Sequence, residues 1–357
     1  MPLRFGVQHA LLCGLVFVAA SGARANLPPL PPGDPLAQDI SSAPPDVESS
    51  AVIAWLTANG GWGLGRMQID FSIEVNDAAP GTPTLPNTQR PGYYLPDCDT
   101  GVTVPVPAGG AIEGVAGYQC SGGDCHLIVF DTGTMRLYEM YQADITSNVL
   151  RSRCLAVWEL GRIYGPYRRG LGCTSADAAG LPIAPLLFDA DEVSAGHIDH
   201  AIRFILPNAR IRSGVFVLPA THIGGPTGPT EAPPYGARLR LRADFPLASL
   251  PNEAARVVAR AMQRYGIVLA DGGNVALTAR SDRFTTAKWA GLLGSRDLDR
   301  IQVSDFEMVE GGQRFNGGHD CQREPAPTQP SSDVPLPSYA LALLAALLVW
   351  IAARKYG

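Results

Sequence analysis

Short alternating segments dominate the chain. Met67, Ile69, Phe71, Ile73 and Val75 alternate with Gln68, Asp70, Ser72 and Glu74. A period of two predicts a half-buried antiparallel strand, with Asp70 and Glu74 on its solvated face. Residues 126–130 and 135–141 read as two strands around Asp131-Thr-Gly-Thr134, a hairpin. Further strands are expected at 198–206, 215–218 and 237–243, and those at 267–270 and 275–279 flank a turn at Asp271-Gly-Gly-Asn274. One helix stands out. Ala254, Val257, Val258, Ala261, Met262 and Tyr265 share one face at a period of 3.6, with Ser249 as N-cap and Gly266 as stop. Short helices are expected at 175–179, 189–195 and 285–293. Many short strands, Gly/Pro turns and few helices predict a mainly β fold, an antiparallel β-sandwich-like single domain.

The two ends carry a different pattern. Arg4, an apolar run over 10–20 and Ala23-Arg24-Ala25 read as a secretory signal peptide over residues 1–25, which removes Cys13. Near the other end, residues 338–353 form an apolar stretch of about 24 Å as a helix, followed by Arg354 and Lys355. The basic pair predicts a single-pass transmembrane helix with the bulk of the chain outside the cytoplasm. Val334-Pro-Leu-Pro337, the apolar helix and the terminal basic pair resemble the bacterial C-terminal sorting tags PEP-CTERM and, more closely, IPTL-CTERM. That resemblance implies a sorting protease acting on the tail; a plain membrane anchor accounts for the same residues. The organisation expected is signal peptide 1–25, Pro-rich arm 26–50, a β-rich ectodomain 51–321, a linker 322–333 and the tail 334–357.

At 46% apolar and 17% charged, the chain is not intrinsically disordered. Arg4, Arg24, Arg354 and Lys355 lie outside residues 26–333, which hold 24 basic and 33 acidic side chains, a net charge of −9. Such a domain is repelled by nucleic acid and anionic lipid. The expected partner is a polysaccharide or cell-envelope glycan, with membrane contact through the tail only and no nucleic acid. Six cysteines remain after cleavage, an even number that in an exported chain favours disulfides. The pairing expected is Cys120–Cys125, Cys154–Cys173 and Cys98–Cys321. No Cys-x-x-Cys spacing supports a zinc site, and neither metal nor cofactor is expected.

Several segments resemble a family of exported bacterial proteins of uncharacterised function. They are Asp39-Ile-Ser-Ser-Ala-Pro44, Asp124-Cys-His126 to Leu137-Tyr-Glu-Met-Tyr141 and Thr174-Ser-Ala-Asp-Ala-Ala-Gly-Leu-Pro182. Further on they are His200-Ala-Ile-Arg-Phe204, Arg264-Tyr-Gly266 with Leu269-Ala-Asp271, and Ser304-Asp-Phe-Glu307. The resemblance spans most of residues 37–310. It implies one exported domain and carries no activity.

Candidate chemistry centres on acid–base groups. A hairpin loop centred on Thr132-Gly133 would set His126 opposite Glu139, a carboxylate beside an imidazole; a structural ion pair accounts for the same residues. Asp177 and Glu192 are candidates for a second carboxylate, with Glu139 as proton donor. Trp158, Tyr164, Tyr167, Arg168 and the adjacent Arg169 look like sugar-stacking and hydrogen-bonding groups. A strand through 198–206 points His197 and His200 apart; His200, Arg203 and His222 are candidates for orienting substrate. A zinc site from His126, His200 and His222 is conceivable only if the three strands assemble suitably. There is no Gly-x-Ser-x-Gly elbow, no P-loop and no His-Glu-x-x-His. Together these point to an exported glycoside hydrolase or polysaccharide lyase. The alternative is a non-catalytic glycan-binding, adhesion or envelope module displayed by its anchor.

Overall fold

A computed structural model describes residues 27–318 and 320–329. The segments expected to be a signal peptide, the end of a linker and a C-terminal tail lie outside the described residues. Among those described, no helix is long and apolar enough to cross a membrane.

Among the described residues the fold is mainly β, with several antiparallel sheets, three α-helices and three disulfides in one domain. A central six-stranded sheet runs in the order Ile69–Ile73, Leu277–Arg280, Ile202–Leu206, Ile267–Gly272, Arg238–Leu241 and Phe306–Val309. A second sheet orders Cys154–Glu159, Arg136–Tyr141, Leu127–Asp131 and Val75–Ala78. The alternating segment read as one strand therefore serves both sheets, breaking at Glu74. Glu74 is buried against Arg283 at 3.0 Å rather than solvated, because the chain changes sheets there. The turn at 271–274 does not close a hairpin. Ile202–Leu206 runs between the two flanking strands, parallel to Ile267–Gly272 and antiparallel to Leu277–Arg280.

Three helices, α1 (Ser49–Ala58), α2 (Ala190–Ala195) and α3 (Glu253–Arg264), pack on this frame. The expected face of α3 is buried, but Asn252 rather than Ser249 caps it, accepting from Ala255 N at 2.8 Å. In α2, Asp189 and Glu192 form a capping box. Residues 175–179 make no helix. Ser175 Oγ instead donates to the Leu181 carbonyl at 2.7 Å and accepts from Asp177 N at 3.0 Å, local bonds that compete with helical ones. Residues 285–293 are likewise turns, held by Asp282, which accepts from Trp289 N at 2.7 Å.

The Pro-rich arm is extended but strapped down. Leu36 is buried, Asp34 pairs with buried Arg168, and Arg238 donates to the carbonyls of Pro35 and Gln38. The start of the expected linker also pairs: Gln322–Arg323 lies antiparallel to Gly170–Leu171. The disulfides are Cys120–Cys125, Cys98–Cys154 and Cys173–Cys321. The first is as expected. The other two are exchanged relative to expectation, because Gly170–Leu171, just before Cys173, pairs with Gln322–Arg323, just after Cys321, while Cys154 opens a strand next to the Tyr93–Asp99 loop.

Candidate functional site

The hairpin register decides the first candidate. Asp131 faces Arg136, Ile128 faces Glu139 and Leu127 faces Met140, so the loop is Thr132 to Met135. Asp131 Oδ1 accepts from Gly133 N and Thr134 N, and Met135 adopts φ 56°, closing a four-residue loop one residue later than expected. His126 and Glu139 therefore do not oppose each other. Glu139 is fully buried, accepting from Trp158 Nε1 at 3.0 Å, Ile183 N at 2.8 Å and Ala184 N at 2.7 Å. It anchors the core; it does not stand in a cleft.

The aromatic and arginine loop is also interior. Trp158 is buried, Tyr164 Oη accepts from Glu159 N at 2.8 Å, and Tyr167 packs edge-on against Phe315. Arg168 is taken up by Asp34, and Arg169 lies over the Trp158 ring and pairs with Asp99 at 2.9 Å. Glu192 and His200 pair at 3.2 Å beside α2, lining a different cleft from His126 and His222. The three histidines do not converge on one metal position.

Four of the named residues do come together. Arg203 rises from the middle of the central sheet and is buried. Its Nη1 donates to Thr278 Oγ1 on one neighbouring strand at 2.8 Å; its Nη2 donates to Asp177 Oδ2 at 2.7 Å and lies 3.6 Å from Asp271 Oδ2 on the other neighbouring strand. The loop bearing Asp177 is pinned to the sheet by Ala179 N donating to the Ala270 carbonyl at 2.9 Å. Burial raises Asp177 to about 7 against the pull of Arg203, and burial raises Asp271 too. One guanidinium thus serves two carboxyl groups, and burial holds both above the usual carboxylate range.

His126 and His222 flank this centre in opposite states. His126 Nδ1 lies 2.7 Å from Glu113 Oε2 and Nε2 lies 3.2 Å from the Ala176 carbonyl. Both neighbours are acceptors, so the ring is held as a doubly protonated imidazolium. Burial alone would lower its pKa, but the hydrogen bond and charge of Glu113 prevail and push it up to about 9. His126 is a fixed cation, not a base. His222 donates from Nδ1 to the Ala178 carbonyl at 2.8 Å, and burial lowers its pKa. It is the neutral tautomer, and its Nε2 makes no hydrogen bond among the described residues.

Asp177, Asp271, His126 and His222 line a cleft of about 500 Å³ together with Asp124, Tyr94, Tyr141, Tyr235 and Asn208, with Arg203 behind the carboxyl pair. Asp271, Asp124 and Tyr235 went unrecognised in the sequence. Asp271 looks like a turn residue before Gly-Gly, and Tyr235 follows a Pro-Pro pair with no period around it. What the cleft offers chemically is a proton-holding carboxyl, a neutral imidazole nitrogen and aromatic walls. Comparison with models of known protein families, with curated protein sequences and with solved structures gives no match.

Proposed function

We propose that this is an exported, cell-surface carbohydrate-active protein that hydrolyses an extracellular polysaccharide in the cleft around Asp271. The observation that carries the reading is the meeting, in one cavity, of a neutral His222 with an unpartnered Nε2 and an Asp271 carboxyl whose pKa burial raises. Asp271 gives its proton to the glycosidic oxygen as the C–O bond breaks. His222 takes a proton from the water whose oxygen attacks the anomeric carbon. Asp177 and Arg203 hold Asp271 in place, and the tyrosines supply stacking faces for sugar rings. Disulfides fit an oxidising, exported setting.

Hydrolysis is favoured over β-elimination because a lyase must neutralise a uronate carboxylate. The two cations here are largely buried and their hydrogen bonds go to protein acceptors, Arg203 to Thr278 and Asp177, His126 to Glu113 and Ala176. The Arg203 Nε–H, which makes no hydrogen bond among the described residues, is itself buried away from the cleft. The test is a polysaccharide panel read for reducing ends and for absorbance of unsaturated products. Reducing ends without absorbance are expected, with activity falling at both low and high pH. The acid limb reports His222, whose pKa burial lowers, and the alkaline limb reports loss of the Asp271 proton, whose pKa burial raises. Asp271→Asn and His222→Gln should each lower kcat by about 10²–10⁴ without moving the melting temperature. Unsaturated products would make it a lyase; binding without turnover would make it a displayed glycan-binding module.

A further inference from the structure

We propose, resting on that reading of the cleft, that its substrate is an amine-bearing glycan whose ammonium group is held by Asp124 beside Tyr141. The cleft is unbalanced in its available hydrogen-bonding atoms. The cation on its wall, His126, is 13% exposed and bonded to Glu113 and Ala176, and Arg203 lies behind the wall, 5% exposed and bonded to Asp177 and Thr278. Beside the proton-bearing Asp271, the groups left to meet a ligand include two acceptors, the exposed Asp124 carboxylate and His222 Nε2. A ligand rich in donors and positive charge complements that surface; a uronate does not.

Two further features locate the ammonium. Asp124 is close enough to Tyr141 and Asp271 for its charge to add to burial in raising both groups, and no salt bridge to Asp124 occurs among the described residues. Tyr141 is oriented by its packing against the His126 ring, 5.7 Å between centroids. A cation at Asp124 thus has the Tyr141 side chain beside it. Independently, Tyr235 is fully buried, yet its hydroxyl makes no hydrogen bond to any described residue and its side chain lines the cleft. A buried phenol without a partner is expected to find one in the ligand, here a sugar hydroxyl or ring oxygen. An amine on the sugar next to the scissile bond would leave Asp271 its proton while engaging Asp124.

The experiment is calorimetric titration and turnover of the disulfide-intact protein with tetramers of glucosamine, N-acetylglucosamine and glucose, at low and high salt. Tighter binding of the glucosamine tetramer by at least about tenfold is expected, weakened by salt and lost in Asp124→Asn. Asp124 is exposed, so that variant should melt like the parent. Equal or tighter binding and cleavage of the neutral tetramers would overturn the amine proposal and leave the hydrolase reading standing. Glucosamine binding without cleavage would support the amine proposal and overturn the hydrolase. Binding of the glucosamine tetramer that survives Asp124→Asn unchanged would overturn the placement of the ammonium.

Discussion

Replacing Glu139 by alanine tests whether this carboxylate is structural. The side chain is fully buried and accepts hydrogen bonds from an indole N–H and two successive backbone N–H groups. Removing it strands three donors at about 1–3 kcal/mol each. The space vacated admits water that re-satisfies some of them, so the expected loss at pH 7 is about 3–4 kcal/mol. At about 2 °C per kcal/mol for a chain of this size, melting should fall by about 6–8 °C.

A second signature comes from the sign of the pKa shift. Burial raises Glu139 from 4.5 to about 6. A carboxyl raised on folding contributes its full stability below the unfolded value and loses it as pH climbs from 4.5 to 6, here about 2 kcal/mol. The alanine variant has no such group. The penalty of Glu139→Ala should therefore be about 2 kcal/mol larger at pH 4 than at pH 7. Urea unfolding under non-reducing conditions at both pH values measures this. A penalty under about 1 kcal/mol, or one that grows with pH, refutes the assignment. Loss of turnover with unchanged stability would return Glu139 to the chemistry.

The remaining predictions concern the frame of the cleft. Arg203→Met should cost about 3–5 kcal/mol by leaving Asp177 buried beside no cation; the deficit should shrink at pH 5, where Asp177 protonates, and Arg203→Met with Asp177→Leu should recover part of it. Measuring all three by urea unfolding decides, and a single variant no less stable than the parent would contradict the pairing. Cys173 and Cys321 are 148 residues apart, Cys120 and Cys125 only 5. Chain entropy assigns about 5 and about 2 kcal/mol to these bridges, so replacing the first pair by alanine should lower the urea midpoint more; equal shifts would count against a constrained unfolded chain.

What the sequence made legible was whatever repeats locally. The face of α3 was legible because a 3.6 period runs unbroken through Ala254 and Tyr265, and the hairpin strands were legible from Asp131-Thr-Gly-Thr134. Helix α1 was not. Val52, Ile53, Trp55 and Leu56 are crowded rather than spaced, because Val52 and Leu56 face the core while Ile53 and Trp55 are partly covered from the side. The hairpin loop failed by one position because Met135 takes a left-handed conformation that residue type does not announce. His126, Asp177, Arg203 and His222 were each named but could not be joined, since they come from four separate segments. The aromatic loop misled for the opposite reason: Trp158 and Tyr164 satisfy their polar ends inside the protein, and composition does not distinguish that from a sugar platform.

The deepest reason Asp271 was hidden lies in the backbone. Arg203 faces Val268 and Phe204 faces Leu269, so a regular ladder would set Ile205 opposite Ala270 and turn Asp271 to the far side of the sheet. The register shifts between Phe204 and Ile205, and Ile205 faces Asp271 instead. One extra residue reverses the alternation, delivering the carboxyl to the face that Arg203 and Thr278 share. Ala270, on the strand that carries the extra residue, gives its carbonyl to Ala179 N, so the same irregularity fastens the loop that brings Asp177. The carboxyl pair around Arg203 therefore depends on a bulge rather than on a motif. A side-chain pattern read at a period of two assigns Asp271 to the wrong face of the sheet, and only the backbone register restores it.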